Sequence, residues 1–164
     1  FADAGFEGDG TMWEYSMPPY EGMRIDRDAT VAHSGSASIR YQSGIGEFVQ
    51  TRTGVCQAIP NRALAGKRIR LTGWVKTDSL RGTAYTKLYC HTVSGMVQVP
   101  QPEQFGNNTD WTLTTLEMDV PRDCYQVWAW FCYDAPRPGR VWYDDTKLEV
   151  LGPATGAGGY SPRN

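Results

Sequence analysis

Histidine is scarce in this sequence: His33 and His91 are the only two in 164 residues. That scarcity limits the catalytic centres the chain can build. No G-x-S-x-G elbow is present, and the serines of "HSGSAS" have no ordered base and acid beside them. No P-loop and no G-x-G-x-x-G occurs, so the common phosphate cradles are missing. The four cysteines, Cys56, Cys90, Cys124 and Cys132, form no C-x-x-C pair, which leaves a zinc site poorly supported. Neither sign of charge dominates. With 16 Lys and Arg against 18 Asp and Glu, and a pI near 5.7, the chain lacks the basic footprint of a nucleic-acid binder. No apolar run approaches the roughly 20 residues of a membrane helix. The start, "FADAGFEGDG", has no leader pattern and reads as that of a mature protein or an excised domain.

What the chain has in quantity is turn and strand residues: 18 Gly, 10 Pro, 6 Trp, 9 Tyr and 5 Phe. Short alternating stretches recur between turn signals. They are "SASIRYQS" (36–43), "EFVQTRTGVCQAIP" (47–60), "KRIRLTGWVKTD" (67–78), "TAYTKLYCHTV" (83–93), "WTLTTLEMDV" (111–120), "CYQVWAWFCYD" (124–134) and "GRVWYDDTKLEVL" (139–151). Seven or eight such strands predict an all-β chain folded as an antiparallel sandwich or jelly roll. Residues 1–151 form one domain on this reading, and "GPATGAGGYSPRN" (152–164) has the composition of a linker or tail. The stretch 94–108 reads as a long functional loop, and Asn107-Asn108-Thr109 within it is a weak glycosylation sequon. In a secreted protein the cysteines would form two bridges. Cys124 and Cys132 on one strand lie about 26 Å apart, too far to join, so their partners would be Cys56 and Cys90 in either order. Four buried free thiols are the alternative.

"YQVWAWFCY" (125–133) carries the main functional signal. In a strand, Val127, Ala129 and Phe131 share one face and suffice for a core, so Trp128 and Trp130 lie side by side on the other. Large indoles on an outer face mark an interaction site. Sugars suit such a face, because their C–H surfaces stack on rings while their hydroxyls seek polar partners. Tyr85, Lys87, Tyr89 and His91 share one face of another strand, Gln126 lies with the tryptophans, and Arg70, Trp74 and Lys76 point outward from a third. If those strands are neighbours, they form one aromatic and polar platform. The opposite parity, or a loop laid over the rings, would bury them instead. A second possible site is the loop end of the sandwich, from residues of 13–20, 94–106 and 135–138.

Five segments in order, "AGFEGDGTMW", "ATVAHSGSASIRY", "GKRIRLTGWVKTD", "NTDWTLTTLEMDVP" and "GRVWYDDTKLEV", resemble the galactose-binding-like jelly rolls. These include carbohydrate-binding modules of families four, nine, sixteen and twenty-two, and the resemblance spans about residues 4–151. It implies one structural Ca²⁺ near the N-terminal strand. The matching positions are Glu7, the turn at Gly35 and Ser36, and Asp144 or Asp145, which offer the oxygens calcium needs. It also makes Trp111, Trp142 and His33 structural. Trp128 and Trp130 depart from the resembling domains, which often hold smaller residues there.

The resulting expectation is a secreted, calcium-stabilised module that binds a polysaccharide or oligosaccharide without cleaving it. Trp128 and Trp130 would stack on the sugar, and Tyr89, His91, Gln126, Lys87, Trp74 and Arg70 would orient it. Its partner in the same polypeptide would be a catalytic domain. A protein-interaction domain is the second reading. A jelly-roll lyase using Tyr89, His91 and Arg70 or Lys87 is the third, although the motifs of alginate-lyase jelly rolls are absent.

Overall fold

A computed structural model describes residues 2–8, 13–15, 21–44, 52–60, 63–99, 103–134 and 138–156. They contain nine strands and no helix: β1 (Glu14–Tyr15), β2 (Met23–Asp28), β3 (Ser38–Ser43), β4 (Arg52–Pro60), β5 (Lys67–Thr92), β6 (Gly95–Gln98), β7 (Phe105–Asp119), β8 (Cys124–Asp134) and β9 (Gly139–Pro153). All pairings are antiparallel. The two segments 67–78 and 83–93 are one strand of 26 residues. Its first half, Lys67 to Asp78, pairs with β9 and with β7; its second half, Thr83 to Thr92, pairs with β8 and β6. Sheet one is therefore β2-β3-β9-β5-β7, and sheet two is β1-β4-β8-β5-β6, with β5 common to both.

The alternation within β5 explains the core. Ile69, Leu71, Val75, Ala84, Leu88 and Cys90 are buried in one cluster with Val127, Ala129 and Phe131 of β8 and with Val141 and Tyr143 of β9. Gly73 is part of that fit, because a Cβ there would stand 2.9 Å from the Phe131 ring. The long loop expected over 94–108 is mostly strand: β6 takes its beginning and β7 starts at Phe105. The short run "GMVQ" hairpins back on β5, with Cys90 opposite Val97. Strand β9 continues to Pro153, two residues past the expected boundary, and Ala154 N–H donates to the Gly66 carbonyl at 2.9 Å. Tyr20, Glu47 and residues 157–164 lie outside the described residues.

Two tyrosines join the sheets. Tyr41 of β3 sends its hydroxyl into the β4–β8 ladder, where it accepts from Val55 N–H at 2.8 Å and donates to Phe131 O at 2.8 Å. Val55 and Phe131 are cross-strand partners, so the hydroxyl sits inside the ladder. Tyr143 of β9 does likewise between β5 and β8, donating to Cys132 O at 2.7 Å, with Tyr85 O at 3.2 Å. Neither ring touches solvent. All four cysteines are buried free thiols, the alternative to a bridged framework.

Replacing Tyr41 by Phe keeps the ring and strands a buried N–H and C=O. Such groups cost about 1–3 kcal/mol each. Urea unfolding of Tyr41→Phe is expected to show a loss of about 2 kcal/mol or more, and an unchanged midpoint would show that the ladder closes without the hydroxyl.

Candidate functional site

The outward face of sheet two gathers most of the residues singled out in the sequence. Lys87 is paired across the ladder with Trp130, Tyr89 with Trp128, and His91 with Gln126. On the far side of β8, Cys56 lies opposite Trp130 and Ala58 opposite Trp128. Those residues are small, so the indoles rise beside a low lane along β4. Gly54 begins that lane, and a Cβ there would meet Phe131 O at 2.6 Å.

The rings pack against one another. Trp128 and Trp130 meet at 6.5 Å edge to face, Trp130 lies 5.8 Å from Tyr89, and Tyr89 meets His91 at 5.4 Å edge to face. Lys87 Nζ stands 5.0 Å above the Tyr89 ring. Tyr125 stacks on His91 at 6.0 Å and is 62% exposed. The face is thus less open than alternation alone implies. Tyr89 is only 7% exposed, and both tryptophans are half-buried. Burial pushes the Tyr89 phenol up to about 12, so it stays protonated at neutral pH. Burial also raises the thiols of Cys56 and Cys132 to about 12, which excludes them as ready nucleophiles. The Nε1 atoms of both tryptophans are buried; that of Trp130 is turned to the Tyr89 hydroxyl, and that of Trp128 has no hydrogen-bond partner among the described residues. At one end of the face, Asp134 is held by Arg52 at 3.4 Å and by the Tyr85 hydroxyl at 3.4 Å.

Trp74 and Arg70 do not join this platform. They project from the first half of β5, which belongs to sheet one, so they face the opposite side of the molecule. Trp74 stacks under His33 at 3.9 Å, with Trp111 edge-on to His33 at 5.6 Å. Arg70 binds Glu117 through Nε at 2.8 Å and Nη2 at 2.6 Å. Of the loop-end residues, 16–20, 100–102 and 135–137 lie outside the described residues, and Trp13 is buried against Phe6 and Phe131.

The residues expected around calcium come together in one corner. Glu7 accepts from Ser36 N–H at 2.9 Å and from the Ser36 hydroxyl, which draws its carboxyl below the usual range. Gly35 has φ +62, and a Cβ there would fall 1.9 Å from Glu7 Oε1, so only glycine fits. Asp145 bonds His33 Nδ1 at 2.6 Å and the Ser34 hydroxyl at 2.8 Å. Asp144 is fully buried. Burial raises its carboxyl, against the N–H groups of His33, Asp145 and Ser34 that it accepts from. Among the described residues no three His, Cys, Asp or Glu side chains are grouped as metal ligands. Glu7 Oε1 and Asp145 Oδ1 both lie within 4 Å of the point a Cβ at Gly5 would occupy, at 3.9 and 3.8 Å.

The sequence matches no family profile and no curated protein. Solved structures match about nine-tenths of the chain. The CBM22-1 xylan-binding domain of Xyn10C from Paenibacillus barcinonensis superposes with a TM-score of 0.66 at 14% identity, over 92% of this chain and 93% of that one. TmCBM61, solved in complex with β-1,4-galactotriose, gives a TM-score of 0.64 at 11% identity, over 92% and 97%. The enzymatically active domain of tailspike protein 4 of bacteriophage CBA120 gives a TM-score of 0.67 at 15% identity. The match covers 92% of this chain but 21% of that one, so the chain spans about a fifth of it. The fold is that of carbohydrate-binding modules.

The opposite face of the module carries a groove of about 600 Å³ that the sequence did not signal. Its charged lining is already paired, Lys76 with Asp110 at 2.6 Å and Arg140 with Asp78 at 3.1 Å. Beneath it Trp142 is 4% exposed, and its Nε1–H donates to Asp28 Oδ2 at 2.9 Å. Asp28 also accepts from the Thr30 hydroxyl at 2.6 Å, Thr30 N–H at 2.9 Å and Arg40 at 3.0 Å. Burial works to raise this carboxyl, and the bonds from Thr30 and Trp142 with the Arg40 charge outweigh it, leaving the group at about 2. A carboxyl depressed on folding adds stability above its unfolded value of 3.8 and loses it as pH falls toward 2. The contribution is about 2 kcal/mol. The stability gap between wild type and Asp28→Asn is therefore expected to narrow by about 2 kcal/mol from pH 6 to pH 2 in denaturant titrations. A constant gap would refute the assignment.

Proposed function

We propose that the chain is a non-catalytic module that binds a polysaccharide on the outward face of sheet two and holds an attached catalytic domain at that polymer. The observation that carries this reading is the register Lys87–Trp130, Tyr89–Trp128 and His91–Gln126. It sets aromatic surface and polar groups in alternation along two adjacent strands, which is the pattern a sugar chain needs. The shared fold supports the same class of ligand, since its relatives include a xylan-binding domain and a galactotriose complex. The Gly- and Pro-containing segment after Pro153 suits a tether, and a polymeric ligand would suit a module that works outside the cell.

The lyase reading loses Arg70, which faces the other side of the sandwich, and keeps Lys87 and His91 beside Tyr89, whose phenol burial holds protonated. We also propose a Ca²⁺ at the corner where the Glu7 and Asp145 carboxylates lie, with Ser36 and Ser34 giving up their bonds to them. A cation there would join the Arg27 guanidinium, which stands 3.9 Å from Glu7 Oε2.

Two measurements test these readings. Affinity electrophoresis on xylan, β-glucan, galactan, polygalacturonate and alginate is expected to find at least one ligand. Trp128→Ala and Trp130→Ala should each weaken binding by about tenfold or more with the fold retained. Binding untouched by both substitutions would move the site elsewhere, and no binding to any glycan would favour the protein-interaction reading. For calcium, stripping with EDTA should lower the melting temperature by several degrees, restored by Ca²⁺ but not by Mg²⁺. An unchanged melting temperature would leave the corner held by hydrogen bonds alone.

A further inference from the structure

One residue of β8 breaks the alternation of its strand. The inward set Val127, Ala129 and Phe131 would take Tyr125 with it, at the same spacing of two. Tyr125 is instead 62% exposed, and Cys124 is buried in the core where an outward residue was due. The register gives the cause. His91 of β5 pairs with Gln126, and the next residue, Thr92, pairs with Cys124, so Tyr125 has no cross-strand position of its own. This is a β-bulge, with Tyr125 and Gln126 both standing opposite His91. A bulge re-aims a side chain. This one turns Tyr125 out of the core and onto the His91 ring, 6.0 Å away and within 19° of parallel. A large ring is left in water while a small thiol takes the core position.

The turned ring lengthens the aromatic face of sheet two. From Trp130 the rings run through Tyr89 at 5.8 Å and His91 at 5.4 Å to Tyr125 at 6.0 Å. Among the described aromatic side chains Tyr125 alone is mostly exposed, whereas the two tryptophans are half-buried. Met96, paired with His91 on its other side, adds exposed apolar surface, and Gln126 and His91 supply polar groups beside the ring. We infer that Tyr125 is a sugar-stacking position at the end of the platform, set by the bulge and backed by His91, for a linear glycan that lies along β8 and reaches the tryptophans as well. The inference rests on the reading of this face as glycan-binding. Tyr125 and Trp130 are five residues apart, about 16 Å along a strand. A disaccharide is too short to touch both, so the position acts on longer chains only.

The test is NMR titration of the full chain with xylo-, cello-, galacto-, galacturono- and mannurono-oligosaccharides of two, four and six units. Wild type is compared with Tyr125→Ala, Tyr125→Phe and Trp130→Ala. In at least one series wild-type affinity is expected to rise from two units to four. Tyr125→Ala should lower affinity for the four- and six-unit sugars by about fivefold or more and leave the two-unit sugar unchanged. Tyr125→Phe keeps the ring and should match the wild type. Wild-type affinity of Tyr125→Ala for the six-unit sugar, with Trp130→Ala weakened, would overturn the Tyr125 position and leave the platform standing. A loss in Tyr125→Phe as large as in Tyr125→Ala would overturn stacking as its role. No binding in any series would overturn both this position and the reading beneath it.

Discussion

One strand belongs to both sheets, and its bend decides which side chains share a surface. β5 turns between Asp78 and Thr83, where Ser79 takes φ +51 and Leu80 is driven into the core. The bend is held by close backbone contact with the start of β9. Arg81 N–H donates to Pro138 O at 3.2 Å, and Gly139 at φ +143 lies so near that a Cβ would meet Leu80 Cα at 2.6 Å. Before the bend, β5 presents Arg70 and Trp74 to one side of the molecule. After it, Lys87, Tyr89 and His91 face the other. The candidate site exists because the second half of β5 lies beside β8, and not because aromatic residues are plentiful.

Much of this was legible in the sequence, and the limit has a physical form. Alternation reports which face a residue takes within its own strand. That is why the inward set Val127, Ala129 and Phe131 and the outward set Trp128 and Trp130 could be separated in advance. It does not report which strands are neighbours, because pairing is set by the course of the whole chain. Arg70 and Trp74 were therefore given the right parity and the wrong side. The strand Gly95–Gln98 escaped notice for a related reason: four residues beside a glycine turn carry too little pattern to stand out from a loop. Outward parity also proved to be different from exposure. Tyr89 points away from the core yet is covered by its neighbours, since large rings on adjacent strands bury one another.

The corner around Glu7 shows the same limit in its electrostatics. The structure sets Glu7 against Gly35 and Ser36, and Asp145 against His33 and Ser34 of the same turn. Sequence similarity could not foresee that each carboxylate would find N–H or O–H donors from the turn at 33–36. A cation and a set of donors are alternative ways to hold the same charges. The choice between them depends on how much hydrogen bonding the corner gives up to admit an ion.

The locks inside the sandwich bear on the face outside it. Tyr41 and Tyr143 insert their hydroxyls into the two ladders of β8, at the Val55–Phe131 and Tyr85–Cys132 pairs. Trp130 lies between Phe131 and Ala129 in that same strand, so its backbone is fixed from within at the neighbouring residue. Binding a polymer would then order few backbone torsions that are not ordered already. Affinity lost to ordering is what weakens most sugar contacts, because each is small. A rigid β8, with its tryptophans wedged against Tyr89 and the small residues of β4, would let those small contacts add in the proposed site. The buried polar bolts and the outward aromatic rings are in this sense one device, the first setting the geometry that the second needs.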